Sequence, residues 1–408
     1  MPRDTEGLIG GGGLNGAARS LALASGGVAS IVLDAAPREI HADPDFDGRA
    51  YALALVSRRM LTALGIWRGI EAQAQPILDI KVSDGRPGEG ASPLHLHFAH
   101  HEIAEGPMGP MIEDRYLRRA LIAAMDAEPR IDRRAGVRVV DQTIDAGSAS
   151  VTLYDGTRRS GTLIIGCDGR GSAVAKRAGI GRLGHDYQQT GLVCAVEHEL
   201  SHHGIAHQLF MPAGPLAILP LPGNRSSIVW AEARADAEAI SRLDPDAYLA
   251  RLRPRFGEFL GEIALTGKRH AYPLGLSLAD SFTAPRVALA GDAAHGIHPL
   301  AGQGLNLGLR DVAALAQVLV EARRRGQDPG AADVLEDYAR WRRADTAALA
   351  VATDGLNRLF SNDNPLLRLG RDLGLGLVNR LPPVRRALIR EAAGLTGELP
   401  RLMRGRPI

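Results

Sequence analysis

Residues 6–34 read EGLIGGGGLNGAARSLALASGGVASIVLD, and this stretch decides the fold. A short apolar segment at 6–9 runs into a glycine-rich loop. An alanine- and leucine-rich segment at 17–25 and a β-branched segment at 28–33 follow the loop. This succession predicts a strand, a helix and a second strand, which together begin a βαβ unit.

The glycines of this loop have the spacing Gly11-x-Gly13-x-x-Gly16. In such a loop the first glycine permits a tight turn, the second lets the backbone approach a pyrophosphate, and the third allows close packing at the helix N-terminus. Asp34 ends the second predicted strand, where a carboxylate can accept a hydrogen bond from a ribose hydroxyl. The pattern predicts a dinucleotide site. The alternative is a glycine-rich turn with a solvent-facing Asp34, but four consecutive glycines are costly in chain entropy.

The composition is that of a large globular protein. The chain has 408 residues, of which 45% are apolar and 23% charged, and its formal charge is +2. It is long enough for two domains with substantial cores, which excludes a disordered chain and a small disulfide-stapled fold. The basic residues are almost all arginine, they alternate with acidic residues, and only 4% of residues are aromatic. We therefore expect no nucleic-acid partner.

Two features bear on the compartment. No apolar run reaches the roughly 18 to 20 residues that cross a bilayer, and the first residues do not read as a secretory leader. We expect a cytoplasmic location, with peripheral attachment to a membrane left open. Cys167 and Cys194 have neither CxxC spacing nor a His/Cys partner set, so we expect two core cysteines, no disulfide and no metal.

The rest of the chain leaves the nucleotide-binding pattern and returns to it twice. Antiparallel strands are predicted in one set of segments, at 77–82, 94–98, 207–210, 216–221 and 227–230. The nucleotide-binding pattern of strands and helices resumes in other segments. Its strands are predicted at 137–141, 149–154, 162–166 and 287–290, and its helices at 115–126 and 303–324. The fold class is therefore α/β with an α+β insert, and we expect the active site where the two parts meet.

These segments define the predicted domains. The nucleotide-binding domain is discontinuous and covers 1–75, 106–183 and 271–345. A sheet domain for the substrate covers 76–105 and 184–270, and a helical region covers 346–408.

Two later stretches again predict a strand that ends near a carboxylate. The first, LIIGCDGRGS, begins at Leu163 and contains Asp168. The second, RVALAGDAAH, begins at Arg286 and contains Gly291 and Asp292. The carboxylate of Asp292 can accept hydrogen bonds from hydroxyl groups.

The segment PLAGQGLN at 299–306 opens the long predicted helix. The free N–H groups and the positive dipole end of that helix favour a ligand with negative charge. Gly302 and Gly304 allow the backbone to approach such a ligand closely. A helix cap with a turn is the alternative interpretation.

The three stretches together resemble the fingerprints of the flavoprotein aromatic hydroxylases. The resemblance narrows to the ubiquinone-biosynthesis hydroxylases on DGRAYAL at 47–53, GPLAILPLP at 214–222, Val229-Trp230 and the closing segment 366–404. It implies a Rossmann-like, discontinuous FAD-binding domain with an inserted antiparallel-sheet substrate domain and a C-terminal helical segment.

The resemblance also assigns roles to residues. The family counterparts of Asp292, Pro299, Gly304, Leu305 and Asn306 line the isoalloxazine and the ribityl chain, and the counterpart of Arg49 reaches the flavin region. A surface arginine is the alternative for Arg49. The full predicted set of FAD contacts is Gly11, Gly13, Gly16, Asp34, Arg49, Asp168, Gly291, Asp292, Pro299, Gly302, Gly304, Leu305 and Asn306.

The implied activity is oxygen insertion into the aromatic ring of a polyprenylated phenol. NADH, NADPH or an external electron carrier reduces FAD, O2 adds at flavin C4a, and the hydroperoxide transfers one oxygen atom to the ring. Because the flavin carries this chemistry, no side chain is assigned as acid or base, and Pro299, Gly302 and Gly304 shape the site. The alternatives are hydroxylation of another aromatic substrate and a flavin-binding assembly subunit of the ubiquinone-biosynthesis complex.

The polyprenyl substrate implies contact with a membrane. The arginine-rich segment 379–390 has the amphipathic character of a helix that binds the inner membrane face or another ubiquinone-biosynthesis protein, although an ordinary solvated helix is equally compatible. Phe210, Leu219 and Trp230 on the predicted sheet are candidate walls of the ring pocket.

The histidines are assigned no catalytic role, since the reaction needs no imidazole nucleophile. His295 and His298 are interpreted as structural residues of the cofactor loop. The pairs His100-His101 and His202-His203 are interpreted as solvated loop residues.

Two positions depart from the family pattern. Asp114 stands where the family usually has Asn, Gln or Arg facing the cofactor, and Ala175 stands where it usually has an arginine near the Asp-Gly stretch. The sequence therefore leaves open whether the cofactor contacts that the family makes at these two positions are made here.

Overall fold

The computed structural model describes residues 3–38 and 45–408. Two parts of the predicted segment 1–75, residues 1–2 and 39–44, lie outside the described residues.

The strands in the first half of the chain are β1 (Gly7–Gly10), β2 (Ser30–Asp34), β3 (Ala50–Ala52), β4 (Gln75–Ile77), β5 (Asp79–Arg86), β6 (Gly90–Ala91), β7 (Leu96–Ala99), β8 (Gly109–Glu113), β9 (Ile131–Ala135), β10 (Val139–Ile144), β11 (Ala149–Leu153), β12 (Arg158–Gly161) and β13 (Leu163–Gly166). The later strands are β14 (Arg182–His198), β15 (Ile205–Met211), β16 (Gly214–Leu221), β17 (Arg225–Ala233), β18 (Ile263–Ala279), β19 (Thr283–Ala284), β20 (Val287–Leu289) and β21 (His295–Gly296).

The α-helices whose full extent lies within the described residues are α1 (Leu14–Ser25), α2 (Leu55–Ala63), α3 (Asp114–Ala127), α4 (Ala173–Arg177), α5 (Arg234–Ser241), α6 (Pro245–Phe256), α7 (Gln303–Arg324), α8 (Ala332–Phe360), α9 (Pro365–Asn379) and α10 (Pro382–Ala392).

The nucleotide-binding part is built on a six-stranded sheet. Its strand order is β19-β20-β13-β1-β2-β9, and every neighbouring pair is parallel except β19 with β20. The central strands are apolar and buried on both faces, as parallel strands covered by helices must be: Leu8, Ile9, Val32, Ile165 and Ala288 are fully buried. Helix α1 connects the parallel strands β1 and β2 and packs on both strands and on α7, so the predicted βαβ start is confirmed.

The second large sheet has nine strands and carries the substrate side of the predicted site. Two 17-residue strands, β14 and β18, pair along most of their length, and β17, β16, β15 and β5 continue the sheet from β14. The short strand β21 joins the opposite edge by pairing with β18, so the segment after Asp292 bridges the two sheets.

Several details differ from the sequence prediction. The first helix begins at Leu14 rather than at residue 17, because Gly13 is extended and the helical backbone starts directly after it. The predicted boundary at residue 270 falls within β18. The amphipathic segment 379–390 is not one helix, since α9 ends at Asn379 and Pro382 starts α10. By contrast, α7 covers the predicted residues 303–324.

Candidate active site

The predicted fingerprints meet at one edge of the parallel sheet. Strands β1, β2, β13 and β20 end here at their carboxyl termini, and ligands of open α/β sheets bind at this edge. The strand ends are tied by backbone hydrogen bonds from Cys167 N–H to the carbonyl of Gly10 (2.7 Å) and from Ala290 N–H to the carbonyl of Gly166 (3.0 Å). Three stretches that are far apart in sequence therefore form one site.

The three glycines of the first fingerprint have distinct geometric roles. Gly11 has a φ of +95°, and a Cβ there would lie 2.4 Å from the carbonyl oxygen of Cys167. A Cβ at Gly16 would lie 1.9 Å from the carbonyl oxygen of Gly11, so helix and loop approach closely only with glycine. A Cβ at Gly13 would meet no atom within 4 Å. Gly13 therefore faces open space at the uncapped start of α1, where a phosphate is stabilised.

Asp34 and Asp168 organise the loops that follow their strands. Asp34 accepts hydrogen bonds from the N–H groups of Gly12 (3.1 Å) and Ala36 (3.0 Å). One oxygen of Asp168 accepts from Ala173 (2.7 Å) and Val174 (3.1 Å) at the start of α4, while its Oδ1 is buried with no partner among the described residues.

The Gly291-Asp292 turn is held from behind by a buried carboxylate that the sequence analysis did not single out. Asp311 on α7 is fully buried and accepts from the N–H of Gly291 (3.0 Å), from Arg342 (2.8 Å) and from His295 (2.5 Å). Burial alone would raise the pKa of Asp311, but His295 and Arg342 outweigh it and lower the pKa to about 2. The sequence signal was available: one acid stands among the mostly apolar residues that form the buried side of this helix.

Asp292 itself points toward solvent. Its side chain is 42% exposed and lies 3.5 Å from the guanidinium of Arg170, while Arg182 donates to the backbone carbonyls of Asp292 (3.2 Å) and Ala293 (2.6 Å). The backbone is thus fixed and the carboxylate is accessible, as expected of an acceptor for ligand hydroxyls.

The side chain of Asn306 is hydrogen-bonded entirely within the protein. Its oxygen accepts from the N–H of Ala54 (2.7 Å) and the hydroxyl of Ser57 (2.8 Å), and its nitrogen donates to the carbonyls of Ala52 (2.8 Å) and Gly302 (3.1 Å). These four bonds use the full capacity of the amide. The side chain therefore clamps the 299–306 loop to β3 and α2 and has no hydrogen bond left for a cofactor.

The other predicted contact residues of this loop are two glycines and two partly buried apolar residues. Gly302 has a left-handed φ of +64°, and a Cβ there would lie 3.1 Å from Ala52. Gly304 faces open space like Gly13. Pro299 is half-buried and Leu305 packs partly against the core.

Arg49 and Asp114 lie together beside β3. Asp114 is buried and accepts from Tyr51 (2.9 Å) and from both Nε (2.8 Å) and Nη2 (2.7 Å) of Arg118. Arg49 lies 3.6 Å from Asp114 and donates to Asp47 at 2.7 Å. Asp114 thus orders this corner through ion pairs. The other departure, Ala175, is buried inside α4.

The predicted pocket walls lie on opposite faces of the substrate sheet. Phe210 stacks on Phe360 and shares a buried cluster with Leu300 of the cofactor loop, and Leu219 belongs to the cluster between the sheet and the nucleotide-binding part. Trp230 faces away: it packs against Tyr248 on the helices behind the sheet. The prediction that Trp230 lines the pocket is wrong, because successive side chains alternate between the faces of a strand.

The histidines also separate into two groups. His295 is buried and hydrogen-bonded to Asp311, which agrees with its interpretation as a structural residue. His298 is buried too, yet neither ring nitrogen has a partner among the described residues, and burial lowers its pKa to about 4. The interpretation of His202 as solvated is wrong, since its Nε2 lies 2.8 Å from the carbonyl of Leu221 and the ring is buried. His203 and His101 are exposed.

This geometry fits FAD. Gly13 and Gly304 leave room where backbone N–H groups converge, and the buried oxygens Asn15 Oδ1 and Asp168 Oδ1 lack partners among the described residues. Residues 4–353 match the FAD binding domain family. The chain belongs to this family.

The relatives agree with the expected activity. Ubiquinone hydroxylase UbiL of Rhodospirillum rubrum is 46% identical over 404 residues, which cover 98% of this chain and 93% of the relative. The 3-demethoxyubiquinol 3-hydroxylase of Escherichia coli is 34% identical, with 96% and 99% covered. The predicted identity as an FAD-dependent monooxygenase of the ubiquinone-hydroxylase type is therefore confirmed.

The solved structures support the fold. p-Nitrophenol 4-monooxygenase from Pseudomonas putida superposes with a TM-score of 0.81 at 20% identity, covering 98% of this chain and 100% of that one. The predicted fold class is confirmed.

The described residues include neither a metal-ligand cluster nor a membrane-spanning helix. Within residues 3–38 and 45–408, no group of three or more His, Cys, Asp or Glu side chains is placed to hold a metal ion. No described helix combines the length and apolar character that crossing a bilayer requires.

Proposed function

We propose that this protein inserts one atom of O2 into the aromatic ring of a prenylated phenol during ubiquinone biosynthesis. The observation that carries the proposal is the buried apolar cluster of Leu300 from the cofactor loop, Phe210 from the substrate sheet and Phe360 from α8, which lies beside the fingerprints. Relatives named as ubiquinone hydroxylases support the choice of substrate class.

The chain's own residues would bind and orient the cofactor. Gly13 and the start of α1 receive the pyrophosphate, Asp34 lies where the ribose is expected, and Asp292 accepts from the ribityl chain. The start of α7 and the open face of Gly304 receive the flavin ring edge. When bound and reduced, FAD supplies the oxygen activation. Phe210 and the loop at 299–302 exclude water from the ring.

The deciding experiment is anaerobic reduction of the FAD-loaded protein by NADH and by NADPH, with and without a short-chain prenylphenol. We expect the phenol to accelerate bleaching and, after admission of isotopically labelled O2, one labelled atom in the ring. Reduction only by an added electron carrier would identify that carrier as the donor. Bound FAD without phenol-stimulated O2 consumption would contradict the proposal and favour an assembly subunit.

A pair of variants tests the pocket. Phe210→Leu alters a side chain on the face of the substrate sheet that lies toward the cofactor loop. Met211→Leu alters the next residue, whose side chain lies on the opposite face of the same sheet. We expect Phe210→Leu to raise KM and to release more hydrogen peroxide per NADH or NADPH consumed, because water reaches the site. Met211→Leu should change neither quantity, and equal effects of the two variants would contradict the pocket assignment.

A further inference from the structure

Exposed apolar side chains are concentrated at the C-terminal helices. Ten of the seventeen large apolar residues that are exposed in the described chain lie between Val351 and Leu388. The most regular series runs along α9 and continues across the break into α10. We call it the leucine ridge, and it consists of Leu369, Leu373, Leu377, Leu381, Val384 and Leu388, with exposures of 40–61%.

The ridge is the outward face of helices that are already docked. On α9, Arg371 is buried against Asp84, and Leu375 and Val378 pack toward the substrate sheet. The opposite side carries Leu369, Leu373 and Leu377 at helical spacing, with the exposed glycines at 370 and 374 between them. A helix on a protein surface normally turns a polar face to water, so an apolar outer face of this length indicates an interaction surface.

The charges beside the ridge are positive. Residues 365–392 contain six arginines and two acidic residues, although the whole chain has a formal charge of only +2. Four of these arginines are used in ion pairs with Glu89, Asp84, Glu102 and Glu105. Arg380 and Arg386 are exposed and have no carboxylate within ion-pairing distance among the described residues.

From these observations we infer that the leucine ridge docks on the surface of an anionic lipid bilayer. Leucines that point outward with arginines at their flanks are the pattern of a helix lying in a membrane interface. The ridge contains no aromatic side chain, whereas protein interfaces are enriched in Tyr, Trp and Met. Both the composition and the charge therefore favour lipid over a protein partner.

The position of the ridge suits the substrate. Leu375, on the inner side of α9, belongs to the cluster of Phe210, Leu300 and Phe360 beside the cofactor loop. A bilayer on the ridge would thus be separated from that cluster by a single helix. This consequence rests on the proposed function, because only a prenylated substrate needs to pass from lipid to the ring pocket.

The test is flotation of the FAD-loaded full chain with vesicles of phosphatidylcholine and phosphatidylglycerol, without substrate. Leu369→Gln/Leu373→Gln/Leu377→Gln should lower the partition coefficient on the order of a hundred-fold, since three apolar side chains no longer enter lipid. The matched control Val140→Gln/Leu183→Gln/Leu200→Gln alters three residues of similar exposure elsewhere and should bind like the wild type. Arg380→Gln/Arg386→Gln should weaken binding to the mixed vesicles roughly tenfold, and not to phosphatidylcholine alone.

Three results would overturn the inference: a wild type that does not float, a ridge variant that floats like the wild type, or a wild-type dimer that the ridge variant converts to a monomer. The last result would assign the ridge to a second copy of the chain. Unchanged FAD content and melting temperature show that a variant is folded. If the wild type binds vesicles but hydroxylates no prenylphenol, the proposed function fails while the lipid surface stands.

Discussion

At the residue scale, the glycine fingerprint combines two different requirements. Gly16 is demanded by the protein itself, because a Cβ would lie 1.9 Å from the carbonyl oxygen of Gly11. The protein itself does not require glycine at position 13, because a Cβ there meets no protein atom within 4 Å. On the proposed function, Gly13 is needed for the cofactor, and substitution can separate the two requirements.

Gly16→Ala should lower the free energy of unfolding by about 1–3 kcal/mol even without FAD. The added methyl group has no room and would push α1 away from the glycine-rich loop. Gly13→Ala should leave the melting temperature of the FAD-free protein unchanged and weaken FAD binding. Thermal unfolding and FAD titration of both variants check this. The assignment would be refuted if Gly13→Ala melted as early as Gly16→Ala.

His298 makes stability depend on pH. Burial lowers its pKa from 6.5 to about 4 in the folded protein. Since the unfolded chain binds the proton first, this residue's contribution to stability is present above pH 6.5 and is lost as the pH falls toward about 4. His298→Gln should reduce the acid-induced loss of unfolding free energy by up to about 3 kcal/mol.

Urea unfolding across this pH range measures the effect. His101→Gln, at an exposed position, is the control and should retain the wild-type pH dependence. His207 also has a pKa lowered to about 4, mainly by burial, so part of the acid sensitivity should persist in both variants. If the unfolding free energy of His298→Gln depended on pH as steeply as that of the wild type, His298 would not be a neutral, buried imidazole in the folded protein.

At the element scale, α9 is fixed by one buried ion pair and a few apolar contacts. The side chains of Arg371 and Asp84 are each 3% exposed, and the guanidinium donates to one carboxylate oxygen at 2.7 and 3.1 Å. Breaking a buried pair leaves an uncompensated charge, which costs far more than an exposed pair contributes.

Asp84→Asn should therefore loosen α9 by about 3 kcal/mol. Hydrogen exchange of residues 365–379 should accelerate, while the parallel sheet stays protected. The control Asp363→Asn removes the exposed pair with Arg86 and should cost less than about 1 kcal/mol. Equal exchange rates in the two variants would show that the buried pair does not hold the helix.

At the scale of the whole molecule, the substrate sheet is tied by side chains, as well as by the chain itself, to the strand β8 that leads into α3 of the nucleotide-binding part. Glu113 at the end of β8 is fully buried between Arg115 (2.7 Å) and Arg225 (2.8 Å), and Arg225 begins β17 of the substrate sheet. Strand β21 adds a hydrogen-bonded bridge. The inserted sheet and the nucleotide-binding part should thus unfold together.

We expect a single thermal transition whose midpoint rises with the concentration of free FAD, because the cofactor binds only the folded chain. Far-UV circular dichroism and the fluorescence of released flavin should give the same midpoint. Two separate transitions, with only one shifted by FAD, would show that the domains unfold independently.

The sequence by itself determined the features that depend on local chemistry. The βαβ start, the three strand ends with their carboxylates and the helix at 303–324 follow from glycine spacing and apolar periodicity within short windows. The family resemblance extended these features to FAD and to the hydroxylase type.

The tertiary structure decided which way each side chain faces and what it contacts. Asn306 is saturated by partners about 250 residues away, Trp230 packs behind its sheet rather than in the pocket, and Asp311 holds the Gly291 turn from a helix interior. The leucine ridge likewise appears only once the inner face of α9 is docked through Arg371. Residue type and spacing do not contain these facts, because burial and hydrogen-bond partners arise from contacts between segments that are distant in the chain.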